Sequence, residues 1–321
     1  MGARRISKWT KIELLFAIPL MLMACSLSSA IPATSTTVIP TDTQGAPTAQ
    51  ATEAPTLTNA PLQPIHLTPT VTLPQSFKYA DLTFNVTKAE ITNQVSDTNP
   101  SIDPTNTYAR LSIQVVNLTA LEVKIPAGHF ILKLGDGTKY SQDLIEDVLG
   151  KGSDNIPLQY IVPANETWSG AQLSLDEKGT VPGVVKLDGP QATSPYPITL
   201  TAGQKLILKT FRPMTYTVNT AVMELDGLGV RAKIGSHYLV LGISAYCNNS
   251  VGCYVGPEEM RLIVDGVPES PETIVPDSSD LNYQGSEDVQ AAFVVPDNAT
   301  KLGFEVGEVG KGTTQTPMPM K

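Results

Sequence analysis

The sequence predicts an all-β protein: two tandem β-sandwich modules that follow an export signal and an extended, disordered tether. Three observations predict it. From residue 77 onward, apolar residues recur in short runs that alternate with polar ones between turn signals, with little amphipathic helix. That series of runs repeats about 130 residues later. Ahead of both lies a stretch of Ser, Thr, Pro and Ala that cannot bury apolar area and favours extended backbone.

Residues 1–24 read as a secretory signal. Arg4, Arg5, Lys8 and Lys11 form a basic n-region ahead of the apolar run Leu14–Met23, which Pro19 breaks and which is too short for a good membrane span. The run ends in Leu22-Met23-Ala24-Cys25-Ser26, which resembles the lipobox of bacterial lipoprotein precursors. The resemblance implies that the thiol of Cys25 takes a diacylglycerol and that cleavage makes this cysteine the first residue. It further implies a cell-membrane location facing the extracytoplasmic side. An ordinary signal peptide cut at a small residue, or an uncleaved anchor helix, is the alternative.

Residues 25–76 hold the lipidated cysteine and the tether, in which Asp42 and Glu53 are the only charged residues after Ser26. As a flexible coil it reaches roughly 40 Å, and as polyproline II about 150 Å.

Residues 77–200 form the first sandwich. Leu82, Phe84 and Val86 alternate with polar residues, as do Leu111, Ile113 and Val115. Phe130–Leu134 leads into Asp136-Gly137, a hairpin turn signal. Tyr160-Ile161-Val162 then runs into Pro163-Ala164-Asn165-Glu166-Thr167, where Asn165 is expected to cap the turn after proline.

Residues 201–309 repeat the scheme, and 310–321 are expected to be a disordered tail. Phe84 answers to Tyr216, Tyr108 to Tyr238, Asp136-Gly137 to Asp265-Gly266, and Asn165 to Asn298, at offsets of 132, 130, 129 and 133. Cys247 and Cys253 fall where copy one has Asn117 and Val123. In an exported chain this pair reads as a disulfide, with metal ligation as the rival. Copy one has Leu118 and Leu121 to pack the same turn, so the disulfide is expected to replace missing apolar packing.

Copy one resembles the immunoglobulin-like domain of secreted bacterial proteins and lipoproteins, the type related to immunoprotective extracellular antigens. The carried features are Val115-Val116-Asn117, Phe130 with Leu132 leading to Asp136-Gly137, and Val162-Pro163-Ala164-Asn165-Glu166-Thr167 followed by Gly170 and Leu173. The resemblance implies a tandem immunoglobulin-like architecture and transfers no catalytic residue.

The formal net charge of −9 becomes more negative once the basic signal is removed, and no basic cluster follows it, which argues against nucleic acid. His66, His129 and His237 lie in no catalytic motif and read as turn histidines. The carboxylates Asp143, Glu146, Asp147, Asp277, Asp280, Glu287 and Asp288 read as solvated loops, with a weak calcium site as the sharper alternative. Trp168 reads as structural. Tyr254, beside the Cys pair, is the candidate ligand contact. The expectation is therefore a non-enzymatic, cofactor-free binding or adhesion module for an envelope or extracellular protein, peptide or glycan. A structural spacer in an envelope complex is the alternative, and a hydrolase with an unrecognised site is the remote one.

Overall fold

A computed structural model describes residues 62–319 apart from 120–122, 125–127, 145–146, 149–151, 210–211 and 310–311. The signal, Cys25 and most of the tether lie outside the described residues. Among those described, the chain is all-β apart from one 3-10 turn, Pro257–Glu259. No helix there is long and apolar enough to cross a membrane.

The first half contains β1 (His66–Leu67), β2 (Gln75–Tyr79), β3 (Leu82–Thr92), β4 (Thr107–Asn117), β5 (Val123–Lys124) and β6 (Gly128–Lys133). It continues with β7 (Lys139–Leu144), β8 (Asp147–Val148), β9 (Ser153–Val162), β10 (Gln172–Asp176) and β11 (Gly183–Lys186). One antiparallel sheet runs β1-β3-β4-β9 with β2 also on β3, and the other runs β11-β10-β6-β7. Their facing side chains make one core, in which Phe77 stacks on Phe84 at 5.0 Å and Phe84 meets Phe130 edge-on at 6.0 Å.

The second half contains β12 (Ile198–Thr199), β13 (Lys205–Leu208), β14 (Met214–Glu224), β15 (Asp226–Gly227), β16 (Val230–Arg231), β17 (Ser236–Cys247) and β18 (Cys253–Val255). Then come β19 (Met260–Val264), β20 (Val267–Glu269), β21 (Thr273–Val275), β22 (Ser279–Leu281), β23 (Ser286–Pro296), β24 (Leu302–Val306) and β25 (Thr314–Met318). The sheets run β12-β14-β17-β23-β21, with β13 on β14, and β20-β19-β24-β25. They close on a core that includes Tyr216, Ile243, Leu262, Phe293 and Phe304.

The two halves share the order of their main strands, β3 matching β14, β4 matching β17, β9 matching β23 and β10 matching β24, while the second half adds β21 beside β23 and the β15–β16 hairpin. Even an irregularity is duplicated. The β3–β4 ladder slips between Val86 and Lys88, and the β14–β17 ladder slips between Val218 and Thr220. The extra residue, Thr87 or Asn219, re-phases the strand. Core positions therefore move from Leu82, Phe84 and Val86 to Ala89 and Ile91, and likewise from Met214, Tyr216 and Val218 to Ala221 and Met223.

Several expectations are corrected. The first sandwich begins inside the expected tether, because β1 and the start of β2 pair with β3. Trp168 is buried and its indole donates to the Leu67 carbonyl at 2.8 Å, tying that segment down. The expected tail includes β25, which pairs with β24 and buries Met318. Thr314 and Thr316 on its inward face, with Gln315 and Pro317 outward, hide that strand in the sequence. β12 pairs with β14 and Leu200 enters the second core, so the second copy begins before residue 201. β9 starts at Ser153, well ahead of Tyr160, and tolerates Pro157 because it is the edge of its path, with its outward side free of a ladder partner. Gln159 on that same edge donates its N–H to the Gln142 side chain instead.

Candidate functional site: the junction between the sandwiches

Two tight turns meet where the sandwiches join. The β2–β3 turn places Ala80 and Asp81 at φ 50° and 63°, and the β15–β16 turn places Leu228 and Gly229 at φ 53° and 88°. Paired positive φ values let a two-residue turn follow the twist of its strands. The β15–β16 hairpin lies over the second sandwich, with Gly227 against the Tyr238 ring, and presents Asp226 and Arg231 to the first.

Arg231 donates to both carboxylate oxygens of Asp226, at 2.8 and 3.0 Å, and both side chains are buried. Its Nε and Nη2 donate to the carbonyls of Val181 (2.8 Å) and Pro182 (3.3 Å) in the first sandwich. Asp226 accepts in turn from the Ala80 backbone at 2.7 Å. The guanidinium also lies over the Tyr79 ring, 5.1 Å from its centroid. Tyr79 Oη shares a 2.7 Å hydrogen bond with Thr180 and donates to Glu177, and burial pushes its pKa up to about 12. Two backbone bonds and one side-chain bond complete the seam: the Val181 N–H donates to the Ala232 carbonyl, the Ile234 N–H to the Gly179 carbonyl, and the Gly229 N–H to the Asp81 carboxylate. A buried ion pair needs such satisfaction of its remaining donors and acceptors, and this one has it.

Beside the seam is a cleft of about 400 Å³, walled by Phe77, Lys78, Gln191, Tyr196, Glu224 and Arg231 among others. Glu224 is half-buried there, and its pKa rises to about 7, first by desolvation and then by the charges of Asp81 and Asp226. Desolvation raises Asp81 as well. Lys78 opposes both shifts. The cleft therefore offers a partly desolvated carboxylate, an amine and two aromatic edges, a set suited to binding a polar ligand.

No candidate site residue named from sequence lies in this junction, although Tyr238, the repeat partner of Tyr108, lies under its hairpin. Cys25 is outside the described residues. Cys247 and Cys253 are joined, with sulfurs 2.05 Å and Cα atoms 5.7 Å apart. The packing argument for that disulfide is corrected, because Leu118 is 76% exposed and Leu121 lies outside the described residues. At the matching position copy one has Asn117, whose side-chain oxygen accepts from the Thr119 N–H and hydroxyl at 2.9 and 2.7 Å. A covalent link in copy two thus stands where copy one uses a hydrogen-bonded asparagine. Tyr254 follows it, its ring laid over Gly256 beside a shallow depression lined by Arg212, Asn249 and Asp280.

The turn residues cluster in pairs. Asp265 and Gly266, at φ 49° and 90°, make a two-residue turn, and Asp265 accepts from the Thr300 hydroxyl (2.7 Å) and the Lys301 N–H (2.8 Å) in the loop that carries Asn298. In copy one the turn is longer, spanning Gly135-Asp136-Gly137 with Gly137 at φ 87°, and Asp136 accepts from the Thr138 N–H and hydroxyl. Asn165 and Asn298 are exposed at turns closed by backbone bonds, Glu166 to Pro163 and Ala299 to Pro296.

His237 is no turn residue. It sits buried on β17, with Nδ1 3.0 Å from Asp297 and its ring against Tyr196. Its Nε2 is enclosed without a hydrogen-bond partner, so no hydroxyl or thiol stands against it as a nucleophile would. His66 is exposed, 3.9 Å from Glu90, and His129 is exposed on β6. Among the described residues no group of three or more His, Cys, Asp or Glu is placed to hold a metal ion.

The junction was missed in sequence because its parts are scattered: Asp81, Val181, Glu224, Asp226 and Arg231 come from four segments. The available signal was Asp226-Gly227-Leu228-Gly229 with opposite charges at Asp226 and Arg231, a hairpin absent from copy one.

No protein-family model matches the chain. No curated protein matches it either. Among solved structures, the chain is similar to an uncharacterized beta-sandwich protein from Clostridium difficile 630, at 14% identity and a TM-score of 0.28, covering 41% of this chain and 100% of that one. The sandwich architecture rests on the facing sheets described above.

Proposed function

We propose that the protein is a lipid-anchored extracytoplasmic lipoprotein that acts as a non-enzymatic binding module, with the junction cleft as its ligand surface. The cleft carries this reading, since it joins Tyr196, Lys78 and Glu224 at a seam that holds both sandwiches. Domain junctions are a preferred location for ligand sites. The anchor is Cys25, the tether gives reach, and the partner is an envelope or extracellular protein, peptide or glycan. Kinship with immunoglobulin-like domains of the secreted-antigen type belongs to the same proposal.

Cross-linking capture with the full chain tests it. Tyr196→Ala or Lys78→Glu should abolish capture of a partner that the unchanged chain retains. Retention by both variants, together with loss when residues 30–60 are deleted, favours the spacer. The anchor has its own test: Cys25→Ser should release the protein or block its processing, and a variant that matures and stays on the membrane overturns it.

A further inference from the structure

The outer face of the β20-β19-β24-β25 sheet differs from its counterpart in copy one, β7-β6-β10-β11, along one row of cross-strand neighbours. In copy one that row reads Lys139, Lys133, Gln172 and Lys186, a solvated set. In copy two the same positions carry Pro268, Ile263, Gly303 and Pro317, without a charge. Pro268 and Pro317 are exposed and Ile263 partly so. Gly303 floors a hollow of about 770 Å³, rimmed by Ile263, Lys301, Gln315, Pro317 and Pro319. The fold does not require this glycine. Its φ lies outside the left-handed region, and a Cβ there would press on the amide tip of Gln315, at 2.8 Å, with the next atoms at 3.4 and 3.5 Å. A glycine inside a strand weakens it, and often marks a place where another molecule comes close.

We propose that this face is the contact surface of a symmetric dimer, and that its occupant is a second copy of the chain. The face is complementary to itself. Three pairs of neighbours span β19, β24 and the turn beside them: Arg261 with Glu305, Ile263 with Gly303, and Asp265 with Lys301. Each pair sets a cation against an anion, or a large side chain against none. A two-fold axis parallel to the strands, between β19 and β24, lays β19 of one copy on β24 of the other. Every residue then meets its complement. Ile263 enters the hollow over the other copy's Gly303, Arg261 faces the other Glu305, and Asp265 faces the other Lys301. Arg261 keeps its own Glu305 at 2.8 Å, so the two ion pairs stack with opposite sense. Four strands about 4.8 Å apart and about five residues long present roughly 300 Å². That is below a standard interface, so the dimer is weak and reversible. The surface shares no residue with the junction cleft, so the inference goes beyond the binding reading and stands apart from it.

Sedimentation of the full chain in density-matched detergent micelles, over about a hundredfold range of concentration, reads the dimer directly. The unchanged chain should pass reversibly from monomer to dimer as concentration rises. Ile263→Lys and Gly303→Gln install the residue types that copy one carries at the matching positions, Lys133 and Gln172. Each should raise the dissociation constant about tenfold or more. Lys78→Glu, which disables the cleft, should leave the dimer intact, so the two readings fail separately. A chain that stays monomeric throughout overturns the dimer. So does a dimer that survives both substitutions, which places its interface elsewhere. A chain that dimerises only after residues 30–60 are deleted overturns it as well, because the tether then covers the face. If Ile263→Lys fails to fold, Gly303→Gln decides alone.

Discussion

Arg231 and Asp226 form a buried, two-pronged ion pair with N–O distances of 2.8 and 3.0 Å, and every contact that completes it comes from the neighbouring sandwich. The pair therefore belongs to the junction more than to the hairpin that carries it. Arg231→Met leaves the Asp226 carboxylate buried without a counter-charge and the Val181 and Pro182 carbonyls without donors. Removing one partner of such a pair costs about 3–5 kcal/mol. Arg231→Lys should restore little, because an ammonium cannot fork among Asp226, Val181 and Pro182 at once. Urea midpoints of the three chains check this; a lysine variant equal to the parent contradicts it.

Gly227 makes a separable prediction about the same hairpin. A Cβ at this position would stand 2.5 Å from the Tyr238 ring, which is itself buried against Ala232 and Ala292. Gly227→Ala must push the hairpin away from the sheet, at a cost of about 1–3 kcal/mol. Because the hairpin reaches copy one, the loss should show as faster exchange at Val181 as well as a lower midpoint. A stable variant with unchanged exchange would mean that the hairpin adjusts freely.

How much of this was legible depends on whether the signal is local. Alternation along β3, β4 and β14 is local, and so is the repeat that aligns Tyr108 with Tyr238. The duplicated bulge was written there too, as the change of parity from Val86 to Ala89 and from Val218 to Ala221, one residue out of step in both copies. β1 and β25 were hidden because Thr- and Pro-rich segments read as extended coil until a neighbouring edge supplies a ladder. The junction was illegible for another reason. Asp226-Gly227 looks like any turn, and its meaning comes from Ala80 and Val181, which are far away in sequence.

The disulfide predicts a difference between the copies. Cys247 ends β17 and Cys253 begins β18, so the link closes a short turn. By chain entropy a loop of this size contributes about 2 kcal/mol. Reduction should lower the thermal midpoint of copy two by several degrees and leave copy one, which has Asn117 at the matching position, unchanged. Differential scanning calorimetry with and without reductant measures it. An unchanged trace would show that the turn at 248–252 holds itself without the link.

The Asp265 corner carries a pH dependence of its own. Its carboxylate accepts from Thr300 and Lys301, and these hydrogen bonds, that of the Thr300 hydroxyl first, hold its pKa below the ordinary range. An acid with a depressed folded value contributes stability above its unfolded value and loses it as pH falls through the folded one. Acidification below about pH 4 should therefore free the loop around Asn298. Substitution should follow backbone preference as well, because Asp265 sits at φ 49°. Asp265→Asn, which tolerates that conformation and can still accept, should be mild; Asp265→Val, which can do neither, should be severe. Amide exchange at Thr300 and Lys301 distinguishes the two effects. If Asp265→Asn and Asp265→Val release the loop equally, the acceptor and the turn conformation are not what anchors it.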